Sequence, residues 1–379
     1  MAEGHGGGRV EGPTRFDRFD RLDHRTGGDR RRMFADFAAG YPDLPLYSRL
    51  ASAIAGDGEI ADLLGAAAPG QDRPVLLFAA VHELVLRRPD LPLARWYSSL
   101  AGSPAPAGDP WPEFRATCLD HRDELCSTIA SRTTQTNEVN RCVLLAPLIA
   151  QACADRPGTP LALLELGTSA GLLLGIDRYA VEVGDAVVGD RASPVRCAGS
   201  VLGTRLPPTA PFPPAPPVAA RAGLDVAPVS LDDAGELRWL EACLWPDQPA
   251  RLTRFRAAVE LARADPPHLV RGDMVDDLPA TLAALPGGTH LVVFHCWALT
   301  YVSRERRAGV AGALAAAAGG GRPVSWLTAE PPGCAPGIEM GHTAADTILG
   351  LRRWRDGAEQ PPLVAGTAHP HGAWIRWGS

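Results

Sequence analysis

The chain has 379 residues, of which 46% are hydrophobic and 21% charged, and its formal net charge is −6. That length suits two domains or one enlarged α/β domain, and the apolar content supports a sizeable core and argues against global disorder. The acidic balance argues against non-specific nucleic-acid binding, and no basic patch interleaved with aromatics points to RNA or DNA as substrate.

All 37 basic residues are arginine. Without lysine there is no Schiff base and no Walker A phosphate loop, so pyridoxal-phosphate and Schiff-base aldolase chemistry are excluded. The eight cysteines (Cys118, Cys126, Cys142, Cys153, Cys197, Cys243, Cys296, Cys334) contain no C-x-x-C pair. This spacing supports neither a zinc site nor a disulfide framework, and no metal is expected.

Residues 1–32 are Gly- and Arg-rich without periodicity and read as a flexible tail. They carry no apolar h-region, so no secretory signal is expected. No apolar run approaches ~20 residues, so no membrane span is expected either, and the protein reads as cytoplasmic. Residues 33–156 space their apolar positions three and four apart, as in LYSRLASAIAG and PVLLFAAVHELVL, and predict a helical N-terminal domain or cap.

From residue 157 the pattern changes. LALLEL, VAARAGLDVAPV, HLVRGD, HLVVFHCW and PVSWLTAE read as strands, with helical stretches between them. That alternation predicts a Rossmann-like, mostly parallel sheet wound on both faces. PLVAGTAHPHGAWIRW predicts a terminal antiparallel hairpin at one edge, with His369 and His371 serving the turn. ELRWLEACLWPDQPARLTRFRAAVELARA reads as one amphipathic helix covering the sheet. An insertion at about 179–217, part β-ribbon and part Pro-rich connector, is expected over the sheet's C-terminal edge, where such folds bind ligands.

LALLELGTSAGLLL (161–174) carries the first strand into its turn and the element beyond. Gly167 is where the chain must turn into a helix, and Gly171 where that helix packs closely or a ligand meets backbone. Free N–H groups at the helix start would favour a polar or negative ligand end. The stretch departs from G-x-G-x-x-G, which counts against NAD or FAD. A tight strand–helix corner is the other reading.

ELGTSAG (165–171) resembles the first motif of Rossmann-like, class I S-adenosylmethionine-dependent methyltransferases, with Ser169 replacing the middle glycine. The resemblance covers roughly residues 160–379. It implies a cofactor site formed by Glu165, Gly167, Thr168, Ser169 and Gly171, with Asp225 gripping the ribose and Asp273 and Met274 bordering the adenine. LVVFHCWALTYV (291–302) is similar to the fourth-strand motif where substrate meets the methyl group. Over its whole length the chain more closely resembles the DUF2332 proteins of actinobacteria, through TQTNEVNR, GIDRY, RWLEACLWPDQPARL and HPHGAWIRW. That family is regarded as methyltransferase-like in fold.

Further residues are candidates for the site. In TQTNEVNR, Thr136 reads as a helix cap, or Gln135, Asn137, Glu138 and Arg141 reach a cofactor or polar substrate. Asp177 and Arg178 form a surface ion pair or bind a zwitterion. His295 ends the fourth strand and is either a base or a buried, hydrogen-bonded histidine. Glu330 is a base or a capping acid. Trp297 and Tyr301 stack on substrate or pack in the core.

The reading favoured is a methyltransferase-like enzyme acting on a small polar metabolite, with S-adenosylmethionine as cofactor. The alternatives are the same fold doing other chemistry, such as cyclisation, or a non-catalytic partner subunit. The sequence leaves room for a homo- or hetero-oligomer.

Overall fold

A computed structural model describes residues 27–101, 106–135, 137–204, 207, 217–340 and 347–378. The chain opens with helices α1 (Gly27–Gly40), α2 (Pro45–Gly56), α3 (Gly58–Ala61), α4 (Pro74–Arg87), α5 (Ser98–Ala101), α6 (Trp111–Asp120), α7 (Arg122–Ser131) and α8 (Cys142–Cys153). α1 thus takes in residues 27–32, which the sequence pattern assigns to the tail. Strands β1 (Leu161–Leu166), β2 (Ala180–Val183), β3 (Ala186–Gly189), β4 (Arg196–Val201) and β5 (Val218–Asp225) come next. The rest alternates: α9 (Ala234–Ala242), α10 (Pro249–Ala264), β6 (His268–Arg271), α11 (Leu278–Ala284), β7 (His290–Cys296), α12 (Arg304–Ala318) and β8 (Val324–Glu330). β9 (Thr347–Arg355), β10 (Ala358–Glu359), β11 (Leu363–Ala368) and β12 (Trp374–Trp377) close the chain.

The strands form one sheet in the order β3-β2-β4-β12-β11-β9-β8-β7-β1-β5-β6, with β10 paired to β9. From β6 to β8 every pairing is parallel. β9 then runs antiparallel to both β8 and β11, and β11 antiparallel to β12. β1 shows why the parallel part is doubly wound: all six residues of LALLEL are buried. Leu161 and Leu163 join a core with α8 and α10, whereas Ala162, Leu164 and Leu166 join one with α11 and α12. A strand covered on both faces has no polar side to alternate with.

The terminal hairpin β11–β12 is not at an edge, because β9 flanks it on one side and β4 on the other. Nor do β2–β4 lie over the sheet: β4 pairs with β12 through Ser200 and Val201, so these strands extend the sheet itself. Apart from Pro207 and Pro217, the Pro-rich connector lies outside the described residues. The expected single helix over 236–264 is two, because WPDQP places Pro246 in the break and Pro249 at the first turn of α10. A proline there has no N–H to lose.

The helical layer packs around Phe78, whose ring stacks on Tyr47 at 4.3 Å. Trp239 of α9 joins that core while Leu237 and Leu240 of the same helix join the sheet's, so α9 ties the two. The break between α9 and α10 supplies a second tie. Both carboxylate oxygens of Asp247 accept from the backbone of α2, from Leu46 N (2.9 Å) and Tyr47 N (3.1 Å). They satisfy helix-start donors that Leu44, the N-cap, leaves unpaired. Asp247→Ala is expected to lower the unfolding free energy by about 1–2 kcal/mol, read from urea midpoints, with Asp247→Asn losing less.

Candidate functional site

The chain moves outward from β1 to β5 and β6 on one side, and to β7 and β8 on the other. The carboxyl ends of β1 and β7 therefore form a topological switch point, the place where open α/β sheets bind ligands. Three described non-glycine residues have positive φ, and two of them flank this point: Ser169 (52°) after β1 and Trp297 (59°) after β7. Such backbone costs roughly 1–3 kcal/mol and persists only where neighbours enforce it. The third, Asp356, sits in the turn between β9 and β10.

At Ser169 the enforcing groups are plain. Its N–H donates to Asp225 Oδ2 (2.8 Å) at the end of β5. Its hydroxyl donates to Gln135 Oε1 (2.5 Å) and accepts from Asn137 Nδ2 (3.1 Å). The residue replacing the middle glycine thus keeps a glycine-like conformation, and its side chain clamps the loop to the segment ahead of α8. Gly167, also at positive φ (72°), is exposed, and a Cβ there would lie 2.7 Å from the Ala298 Cβ, so the loops after β1 and β7 touch. Met274 is near the same point, its Cε 3.7 Å from that Cβ position.

The element after the loop differs from expectation. Leu172–Arg178 is a seven-residue 3-10 segment rather than an α-helix, and Gly171 N is already bonded to Thr168 O. There is no helix start to receive a ligand. Gly171 instead meets Pro267 and Leu269, against which a Cβ would clash at 2.8 and 3.0 Å. Asp177 and Arg178 also leave the site. Asp177 pairs with Arg221 (2.6 Å) and Arg178 with Asp265 (3.1 Å), away from the carboxyl ends.

Glu165 is buried, with Thr168 Oγ1 donating to its Oε2 (2.8 Å). Burial pushes its carboxyl up to about 8; the Thr168 hydrogen bond and Arg141 oppose the rise and Asp225 adds to it. Asp225 accepts from Ser169 N and Ala227 N and is only partly buried. Val226, next along, is 65% exposed. Burial works against the Asp273 charge, but the Val275 N–H, the Arg306 guanidinium and the Asp276 N–H outweigh it and hold that carboxyl below its ordinary value. Asp273 is thus already committed to its own turn and to Arg306.

His295 is fully buried. Trp326 Nε1 donates to its Nε2 (2.8 Å). An indole N–H can only donate, so the imidazole proton is on Nδ1 and goes to Glu330 Oε1 (2.6 Å). With both nitrogens engaged, His295 holds Glu330 in place and is not free to act as a base. The same Glu330 oxygen accepts from Ala298 N (2.8 Å) and Leu299 N (3.2 Å), fixing the turn after β7, while Oε2 has no partner among the described residues. Trp297 Nε1 donates to Thr347 Oγ1 (2.9 Å), and Tyr301 is 83% exposed.

TQTNEVNR does more than cap a helix. Thr136 lies outside the described residues; Glu138 caps the short turn Val139–Arg141 that leads into α8. Asn140 donates to Ala198 O and His371 O (both 3.1 Å) and accepts from Ala198 N (2.8 Å). Arg141 donates to Cys296 O (3.1 Å) and Pro370 O (3.0 Å), joining the end of β7 to the turn between β11 and β12. Glu138 pairs with Arg251 and Arg254 of α10. Sequence reasoning passed over Arg251, Arg254, Thr347 and Val226. The arginines stand three apart just after WPDQP, a signal legible only once the helix is known to begin there.

Among the described residues no helix is long and apolar enough to cross a membrane, and no group of three or more His, Cys, Asp or Glu could hold a metal. A family model described as an uncharacterised protein conserved in bacteria (DUF2332) matches residues 31–377. No curated protein matches the chain.

The raised Glu165 pKa makes stability pH-dependent. Unfolded, this carboxyl ionises near 4.5; folded, near 8. Its effect is absent below the lower value, and stability falls as pH rises between the two. Glu165→Gln, neutral at every pH, should flatten that fall and exceed wild type in urea midpoint at pH 8.5 but not at pH 4.

Proposed function

The chain belongs to the DUF2332 family, and we propose that its carboxyl-edge crevice binds S-adenosylmethionine and serves a methyltransferase-like reaction on a small polar molecule. The observation that carries the reading is the joint between β1 and β5: Asp225 ends β5 and grips the Ser169 loop at the switch point of a sheet ordered β6-β5-β1-β7-β8.

The residues present fit such a cofactor. Each Asp225 oxygen takes one backbone N–H, which leaves lone pairs for a pair of ribose hydroxyls. Val226 offers exposed apolar surface beside them, and exposed Gly167 presents backbone without a side chain. Among the described residues Asp225 and Glu330 have no guanidinium partner, a balance that favours a sulfonium cation.

When bound, S-adenosylmethionine would supply a methyl group already activated for displacement. The chain's own work is then alignment and exclusion of water. Asp225 fixes the ribose end, the Ala298–Leu299 turn held by Glu330 forms one wall, and Tyr301 offers an exposed ring to the acceptor. His295 takes no proton in this scheme.

One observation favours a second reading, in which the same scaffold performs another displacement such as cyclisation. The loop runs into a short 3-10 segment, so no α-helix start faces the cofactor's charged end.

Calorimetry with S-adenosylmethionine and S-adenosylhomocysteine tests the proposal. Micromolar binding is expected. Val226→Glu, an exposed change, should weaken it by at least about tenfold, as should Asp225→Asn. Absence of binding to folded wild-type protein would sink the cofactor assignment and leave the second reading.

A further inference from the structure

Around the start of α10, buried charge does not balance. Glu138, with 3% of its side chain exposed, is the carboxylate paired with both Arg251 and Arg254, each 14% exposed. Arg141, 7% exposed, lies in the same cluster, and its bonds go to the carbonyls of Cys296 and Pro370 rather than to an acid. Arg254 also donates to Arg196 O, and Arg251 to Gln248 Oε1. Neutral acceptors satisfy N–H groups without cancelling charge. Among the described residues, three guanidiniums therefore share one ion-paired carboxylate, the Glu165 carboxyl near Arg141 being held in its neutral form by burial, and largely buried like charges are costly unless a counter-ion joins them.

Two further features point the same way. α10, sixteen residues long, begins here with Gln248 at its N-cap and no side-chain cap. His369 and His371, in the turn that Arg141 holds, have depressed pKa values: burial is the main cause for both, and the Arg251 guanidinium adds to it. Held neutral, they add no charge of their own.

We propose that Arg141, Arg251 and Arg254, with the start of α10, form a subsite for an oxyanion, a carboxylate or phosphate carried by the acceptor molecule. The subsite adjoins the crevice through Arg141, which holds Cys296 at the end of β7. Guanidiniums suit this role because their forked donors match two oxygens of one group. The ligand class is then an anionic small molecule, held at its charged end beside the β7 loop. Glu138 acts as the resident counter-charge that offsets the repulsion among the arginines until the ligand arrives.

The inference rests on the crevice being the binding site but not on which cofactor fills it, and the test separates the two. Thermal unfolding of the full chain is followed against inorganic phosphate and, separately, succinate, each matched to sodium chloride of equal ionic strength. A saturable rise in melting temperature beyond the chloride control is expected for at least one anion, and the anion with the lower half-saturation identifies the oxyanion. Arg251→Gln and Arg254→Gln should each raise the half-saturating concentration about tenfold. Glu138→Gln, which removes the competing carboxylate, should lower it. Arg263→Gln, at the far end of the same helix, should leave it unchanged. No rise beyond chloride, or the same half-saturation in both arginine variants, overturns the subsite. Should either arginine variant not fold, the direction of the Glu138→Gln change decides. Anion binding without S-adenosylmethionine binding would remove the cofactor assignment alone.

Discussion

Between α7 and α8 the chain crosses the carboxyl edge of the sheet, and its side chains there bond to nearly every loop they pass. Asn137 and Gln135 hold the Ser169 hydroxyl, Asn140 pairs with the backbone of β4 and the final turn, and Arg141 reaches the end of β7. Glu138 fixes the start of α10 through two arginines. A buried polar group without a partner costs about 1–3 kcal/mol, so these bonds act together or fail together. Four loops and strand β4, distant in sequence, are registered against one another by a stretch of eight residues.

That registration bears the strain at the switch point. Ser169 and Trp297 occupy left-handed backbone that glycine would adopt freely. Each is held from two sides: Ser169 by Asp225 and by the Gln135–Asn137 pair, and the Trp297 turn by Arg141 ahead of it and Glu330 behind. Charge is divided across the same edge. Asp225 and Glu330 lie toward β5 and β8, with no guanidinium bond among the described residues, whereas Arg141, Arg251 and Arg254 gather near the final turn. A ligand with a cationic and an anionic part, or two ligands of opposite charge side by side, meets complementary potential at both ends.

The doubly wound core was legible because buried parallel strands are short apolar runs, as LALLEL and HLVVFHC are, and because acids close three of them at Glu165, Asp225 and Glu330. β9 was not legible: TILGLRRWR carries three arginines, and nothing local shows that two are covered by tryptophan rings and by Asp155. The break between α9 and α10 was written in WPDQP, yet the flanking periodicity outweighs it on reading. The density of TQTNEVNR marked it as more than a cap, but its partners lie up to 231 residues away and no spacing rule reaches them. His295 was placed at the right strand end; its role turned on Trp326, whose N–H points at the nitrogen a base would need.

If the loops after β1, β5 and β7 and the segment 134–141 form one site, a ligand must quiet them together. Amide hydrogen exchange of the full chain, with and without saturating S-adenosylhomocysteine, tests this most directly. Slowed exchange is expected together in 134–141, 167–171, 225–229 and 296–301, with the helical layer around Phe78 unchanged. Protection confined to the helical layer, or to one of these loops without the others, would contradict a single shared site.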